Sequence, residues 1–188
     1  MKKYLIKLYY NHYIMIKIIQ SSPGHTGSTL LLNLIHGFIS PHEEIHAHMD
    51  ESIHDFLITK THNINIKQIE NKFPQYKLFF IMSERNDSKV QKLIDNEYKN
   101  KPNVLVINYD KLLESDNNSI KNIINYIFDE FNKFIPKELK PNKSDDSIKD
   151  DMEKRVQIVN ETVKLMKDMP FSQWDKFTGI HGSHRDRE

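Results

Sequence analysis

Nine consecutive residues, Ser21-Ser22-Pro23-Gly24-His25-Thr26-Gly27-Ser28-Thr29, set two glycines among five hydroxyl side chains just after the apolar run Tyr13–Ile19. A glycine-rich turn from a strand into a helix aims several backbone N–H groups at one point, and the helix start adds roughly half a unit of positive charge. The hydroxyls of Ser28 and Thr29 add further donors. That combination suits a phosphate-like anion. The competing reading is a tight turn in which Ser28 or Thr29 caps the helix.

Two more polar groups stand where predicted strands end. Lys60-Thr61-His62 follows the apolar segment Phe56–Thr59, and Ser83-Glu84-Arg85-Asn86-Asp87-Ser88 follows Tyr76–Met82. A histidine titrates near neutral pH, so His62 can take a proton from a hydroxyl or amine. A lysine beside it can stabilise charge developing on a transferred group. Arg85 offers a planar fork of donors matched to a phosphate. The alternatives are an exposed strand end for the first group and a surface ion pair for Arg85.

The loop contains no lysine, whereas a Walker A loop places one directly after its last glycine. It resembles instead the 5′-phosphosulfate loop of the sulfotransferase family, Pro-(Lys/Arg)-Ser-Gly-(Ser/Thr)-Thr, with His25-Thr26-Gly27-Ser28-Thr29 lying over it. Gly24 is an extra residue after Pro23, and His25 stands where the family has a permanent cation. Lys60-Thr61-His62 is similar to the family's Lys-(Ser/Thr)-His segment, whose histidine is the catalytic base. Arg85 matches the family's 3′-phosphate arginine. The serine eight residues beyond that arginine is here Leu93, with Ser88 closer at hand. Tyr109-Asp110 in Asn108-Tyr109-Asp110-Lys111-Leu112 looks like the family's Tyr-Glu, whose tyrosine lies near the adenine. Gly179-Ile180-His181-Gly182 retains the Gly-x-x-Gly of a C-terminal loop that closes over the 3′-phosphate.

The resemblance spans about residues 14–113 and again 174–184. It implies a sulfotransferase using 3′-phosphoadenosine 5′-phosphosulfate (PAPS), releasing adenosine 3′,5′-bisphosphate (PAP), with no metal required. The implied catalytic residues are His62, Lys60 and His25. The implied nucleotide-binding residues are Gly24, His25, Thr26, Gly27, Ser28, Thr29, Arg85, Ser88, Tyr109, Gly179, Ile180, His181 and Gly182. The acceptor is a small molecule, a glycan or a peptide. Two alternatives stay open: a P-loop nucleotide or nucleoside kinase, and a protein that binds PAPS or PAP without turnover.

These residues need a scaffold that brings three strand ends together. Short apolar runs at 13–19, 56–59, 76–82 and 103–107 alternate with helical patterns over 28–38, 65–71 and 88–98. Ile120, Ile123, Ile124, Ile127, Phe128, Phe131 and Phe134 recur at helical spacing, predicting a helix over 118–133. Pro136–Asp146 reads as a charged linker, and Asp150–Met169 as a last helix. The expected fold is therefore α/β, a three-layer sandwich with a mainly parallel central sheet; the resemblance makes it P-loop/sulfotransferase-like. In such sheets ligands bind beyond the carboxyl ends of the strands.

At 188 residues the chain suits a single domain, with 1–12 as an N-terminal extension and 170–188 as closing loop and tail. Its 27 basic and 26 acidic side chains balance, which argues against nucleic acid or a membrane surface as partner. The absence of cysteine removes thiol and disulfide chemistry. The histidines and carboxylates between His42 and His54 lack a metal-ligand spacing and read as a solvated loop or acceptor-side lid. Residues 1–17 are too interrupted by lysine for a leader or membrane span, so the expected location is the cytoplasm.

Overall fold

Four short runs rich in β-branched and aromatic residues form the sheet, because such side chains pack well on a pleated surface covered on both sides. A computed structural model describes residues 15–23, 26–39, 57–86, 89–110 and 120–167. The strands are β1 (Met15–Ser21), β2 (Ile58–Thr61), β3 (Tyr76–Glu84) and β4 (Val104–Asn108). They pair in the order β2-β1-β3-β4, and every pairing is parallel. The helices are α1 (Ser28–Ile39), α2 (Ile66–Lys72), α3 (Lys89–Glu97), α4 (Ile120–Phe134) and α5 (Asp145–Lys167). The expected α/β sandwich is the fold observed.

Alternation along each strand splits the core in two. Ile18, Ile58, Phe79, Ile81 and Ile107 pack with residues of α1, α4 and α5. Ile19, Leu78, Phe80, Met82 and Val104 pack with residues of α2 and α3. On the first side Phe38 meets Phe128 and Phe131, both with ring centroids 5.6 Å away. Each such buried phenylalanine contributes on the order of 2 kcal/mol. Gly37 lets α1 and α5 touch: a Cβ built there would lie 2.5 Å from Met152 Cα.

Several boundaries differ from expectation; β1, for one, runs on through Gln20 and Ser21. Lys60 and Thr61 lie inside β2, because pairing continues through Gln20↔Lys60 and Ser21↔Thr61. β3 likewise runs on through Ser83 and Glu84, which pair with Ile107 and Asn108. α5 begins five residues early, at Asp145 rather than Asp150. Ser144 caps it, its Oγ accepting from the Ser147 N–H at 3.3 Å, and Ile148 buries the extra turn. The segment read as a linker before it contains a 3₁₀ turn, Lys137–Leu139.

Strand order places a topological switch at the centre of the sheet. The chain leaves β1 for β2 on one side, then crosses back so that β3 and β4 extend the other side. Connections from β1 and β3 therefore depart toward opposite faces, opening a crevice at their carboxyl ends. No helix among the described residues is long and apolar enough to cross a membrane.

Candidate functional site

The crevice is bounded by the loop after β1, the end of β2, and the residues after β3 and β4. Gly27 sets the loop's shape. Its φ of +77° lies in the left-handed region, and a Cβ there would fall 2.3 Å from Tyr109 Cδ2. The Gly27 carbonyl accepts the first helical bond of α1, from the Leu31 N–H at 3.0 Å. Gly27 thus occupies the cap position and brings no side chain to the first N–H groups of the helix. Ser28 and Thr29 lie within the first turn rather than capping it.

Thr26 spends its hydroxyl within the protein. It donates to Pro23 O at 2.8 Å and lies 2.9 Å from Ser83 Oγ, from which it accepts. The Ser83 N–H donates to Ser22 Oγ at 2.8 Å, and Gln20 Nε2 donates to the same oxygen at 2.5 Å. The end of β3 is thereby clamped to the root of the loop. Ser22 and Ser83 stand inside the two sequence motifs without an assigned role, and Gln20 lies outside both. The available signal was their polarity at strand ends that are otherwise apolar.

Lys60 is the central side chain. It is 1% exposed, and its Nζ donates to Thr29 Oγ1 at 3.2 Å. None of the ion pairs among the described residues includes it. Burial pushes its ammonium down to about 8 from 10.5. Register places Gln20 beside it on the same face of the sheet, fully buried, with Oε1 lacking a partner among the described residues.

His62 follows β2 directly and is exposed. Its Nδ1 lies 2.9 Å from Ser22 O, a carbonyl that can only accept. The neutral ring therefore carries hydrogen on Nδ1 and its lone pair on Nε2. Ser21 Oγ donates to Asn63 O at 2.6 Å, fixing the histidine's turn against β1.

Arg85 lies across the switch from Lys60. Its Nε donates to Asp110 Oδ1 at 2.9 Å, and its Cζ stands 5.8 Å from the Tyr109 ring centre. Both competing readings of Arg85 keep a footing here: it has a carboxylate partner, and its terminal amino groups are not used in that bond. The Asn86 N–H, and after it the Arg85 guanidinium, hold the Asp110 carboxyl below its ordinary range. Tyr109 packs between Gly27 and Arg85 and so joins the loop to the arginine.

The structure brings together Thr26, Gly27, Ser28, Thr29, Lys60, His62, Arg85 and Tyr109 at one edge of the sheet. Gly24, His25, Ser88, Gly179, Ile180, His181, Gly182 and the His42–His54 segment lie outside the described residues. No protein-family model matches the chain, and no curated protein sequence matches it. Fold and site together define an α/β protein with a glycine at the start of α1 and a buried lysine on the neighbouring edge strand of a parallel sheet.

Proposed function

We propose that the chain is a sulfotransferase-like enzyme that binds PAPS and moves its sulfuryl group to a hydroxyl or amine acceptor. One observation carries the reading. Lys60 is a fully buried cation at the positive end of α1, and among the described residues its ammonium bonds to a hydroxyl and to no carboxylate. Burying a charge without a counter-ion costs several kcal/mol, on the order of what a well-placed ligand anion restores. The lysine comes from β2 and not from the loop, which favours a phosphosulfate over the triphosphate of a Walker A site.

The roles follow from position. The first N–H groups of α1, Ser28 and Thr29 would hold the 5′ end, with Lys60 beneath it. Arg85 would hold the 3′-phosphate, and Tyr109 would lie near the adenine. PAPS supplies an activated sulfuryl group. The acceptor's oxygen or nitrogen forms a bond to sulfur as the bond from sulfur to the 5′-phosphate oxygen breaks. The acceptor's proton goes to His62 Nε2, and the departing oxygen keeps the electron pair beside Lys60.

Incubation with sulfur-labelled PAPS and a panel of phenols, sugars and tyrosine peptides tests this. Label should pass to at least one acceptor, and His62→Ala should slow transfer roughly 100-fold or more while keeping nucleotide affinity. Phosphoryl transfer from ATP in place of sulfuryl transfer would assign the site to a kinase. Nucleotide binding with no transfer would leave a binding protein.

A further inference from the structure

Asp110 belongs to none of the roles above, yet both of its oxygens are committed. Oδ1 accepts from Arg85 Nε at 2.9 Å, and Oδ2 accepts from the Asn86 N–H at 2.6 Å. Asn86 is itself held, its Oδ1 accepting from Asn108 Nδ2 at 2.8 Å. This chain ties the end of β4 to the end of β3 and fixes the carboxylate independently of Arg85. The Asp110 side chain is 17% exposed and that of Arg85 41%, so water screens the pair only in part.

We propose that Asp110 is a specificity-determining residue: a fixed carboxylate that neutralises Arg85 and weakens the site's hold on a second phosphate. The proposal rests on the PAPS reading of the site. Without Asp110, Lys60 on β2 and Arg85 after β3 would stand as two uncompensated cations at the carboxyl ends of the strands. A nucleotide carrying both 5′ and 3′ phosphates would then be gripped at both ends, and its product would leave slowly. With Asp110, a dianionic group approaching Arg85 also meets a negative charge within hydrogen-bond distance of that guanidinium. Repulsion at that range in a half-screened setting is worth about tenfold in affinity. In the PAPS reading the 5′ end would be held by α1 and by Lys60 of β2, with β1 between that strand and the one that leads into Arg85, so it would not feel the same neighbour.

Titration calorimetry with two probes tests the proposal: adenosine 3′,5′-bisphosphate and adenosine 5′-phosphate. Asp110→Asn should bind the bisphosphate about tenfold more tightly than wild type and the 5′-phosphate within about twofold. Arg85→Ala should weaken bisphosphate binding while leaving the 5′-phosphate within about twofold, which separates the arginine's attraction from the carboxylate's repulsion. Thermal melts of each variant report that the fold is kept. Equal or weaker bisphosphate binding by Asp110→Asn overturns the proposal, as does equal tightening toward both probes. Wild type that binds neither probe removes the PAPS reading itself, and the role of Asp110 with it.

Discussion

Lys60 Nζ reaches Thr29 Oγ1 across 3.2 Å, joining the carboxyl end of β2 to the first turn of α1. This bond places an ammonium under a helix start that is already positive. The arrangement opposes stability and favours an anion, and the two consequences can be separated by mutation. Lys60→Met keeps the length of the side chain and removes the charge. The gap between a lysine that ionises near 10.5 and one that ionises near 8 corresponds to roughly 3 kcal/mol. Losing the bond to Thr29 offsets part of that. Lys60→Met should therefore be more stable than wild type by about 1–3 kcal/mol in urea unfolding at pH 7, while losing nucleotide affinity. A destabilised variant would mean that the charge is compensated.

The same side chain predicts a pH dependence. Below pH 8 Lys60 is protonated in both folded and unfolded chains, and the burial penalty is present in full. Between about 8 and 10.5 the folded chain has released the proton and the unfolded chain has not, so stability rises with pH through that window. Unfolding free energies of wild type and Lys60→Met should converge as pH rises across it. An anion bound beside Lys60 favours the charged form, so binding at pH 8.5 to 9 should take up protons. Calorimetry in buffers of different ionisation enthalpy measures that uptake.

Gly27→Ala should damage the loop in two ways. Its φ of +77° disfavours any side chain, and the new methyl would meet the Tyr109 ring at 2.3 Å. Strain at such a position costs on the order of 1–2 kcal/mol, and the ring must move as well. Nucleotide affinity should fall at least tenfold, a loss that Tyr109→Ala in the same chain restores only in part, because the backbone strain remains. Full restoration would reduce Gly27 to a packing role.

Gly37→Ala tests the fold away from the site. The added methyl would lie 2.5 Å from Met152 Cα, a backbone atom that cannot turn aside. Pushing α1 off α5 should cost about 2 kcal/mol or more, read as a lower melting temperature. The Lys60 and Arg85 contacts lie at the sheet edge, so affinity measured below the melting transition should change little.

The architecture was legible because each strand is a short apolar run and each helix carries a three-to-four residue apolar period. Ile18 and Ile19 illustrate it: adjacent in sequence, they serve opposite cores, as a doubly covered strand requires. Gly27 and the strand-end positions of His62 and Arg85 were legible for the same reason. The burial of Lys60 was not. A lysine in Thr59-Lys60-Thr61 reads as a strand end, and only the register Gln20↔Lys60 places it inside the sheet. The clamp through Ser22, Ser83 and Thr26 joins residues up to 61 apart, which no local pattern reveals. Asp110 looked like a substitute for glutamate in a weak motif, and its two hydrogen bonds depend on how β4 sits beside β3.

Titration of the wild-type chain with adenosine 3′,5′-bisphosphate, beside ATP with magnesium, asks whether the site is built for a phosphosulfate nucleotide. The bisphosphate should bind one-to-one below millimolar concentration, more tightly than ATP, and Lys60→Met should lose that binding. No binding at millimolar bisphosphate, or tighter binding of magnesium ATP, would contradict that reading.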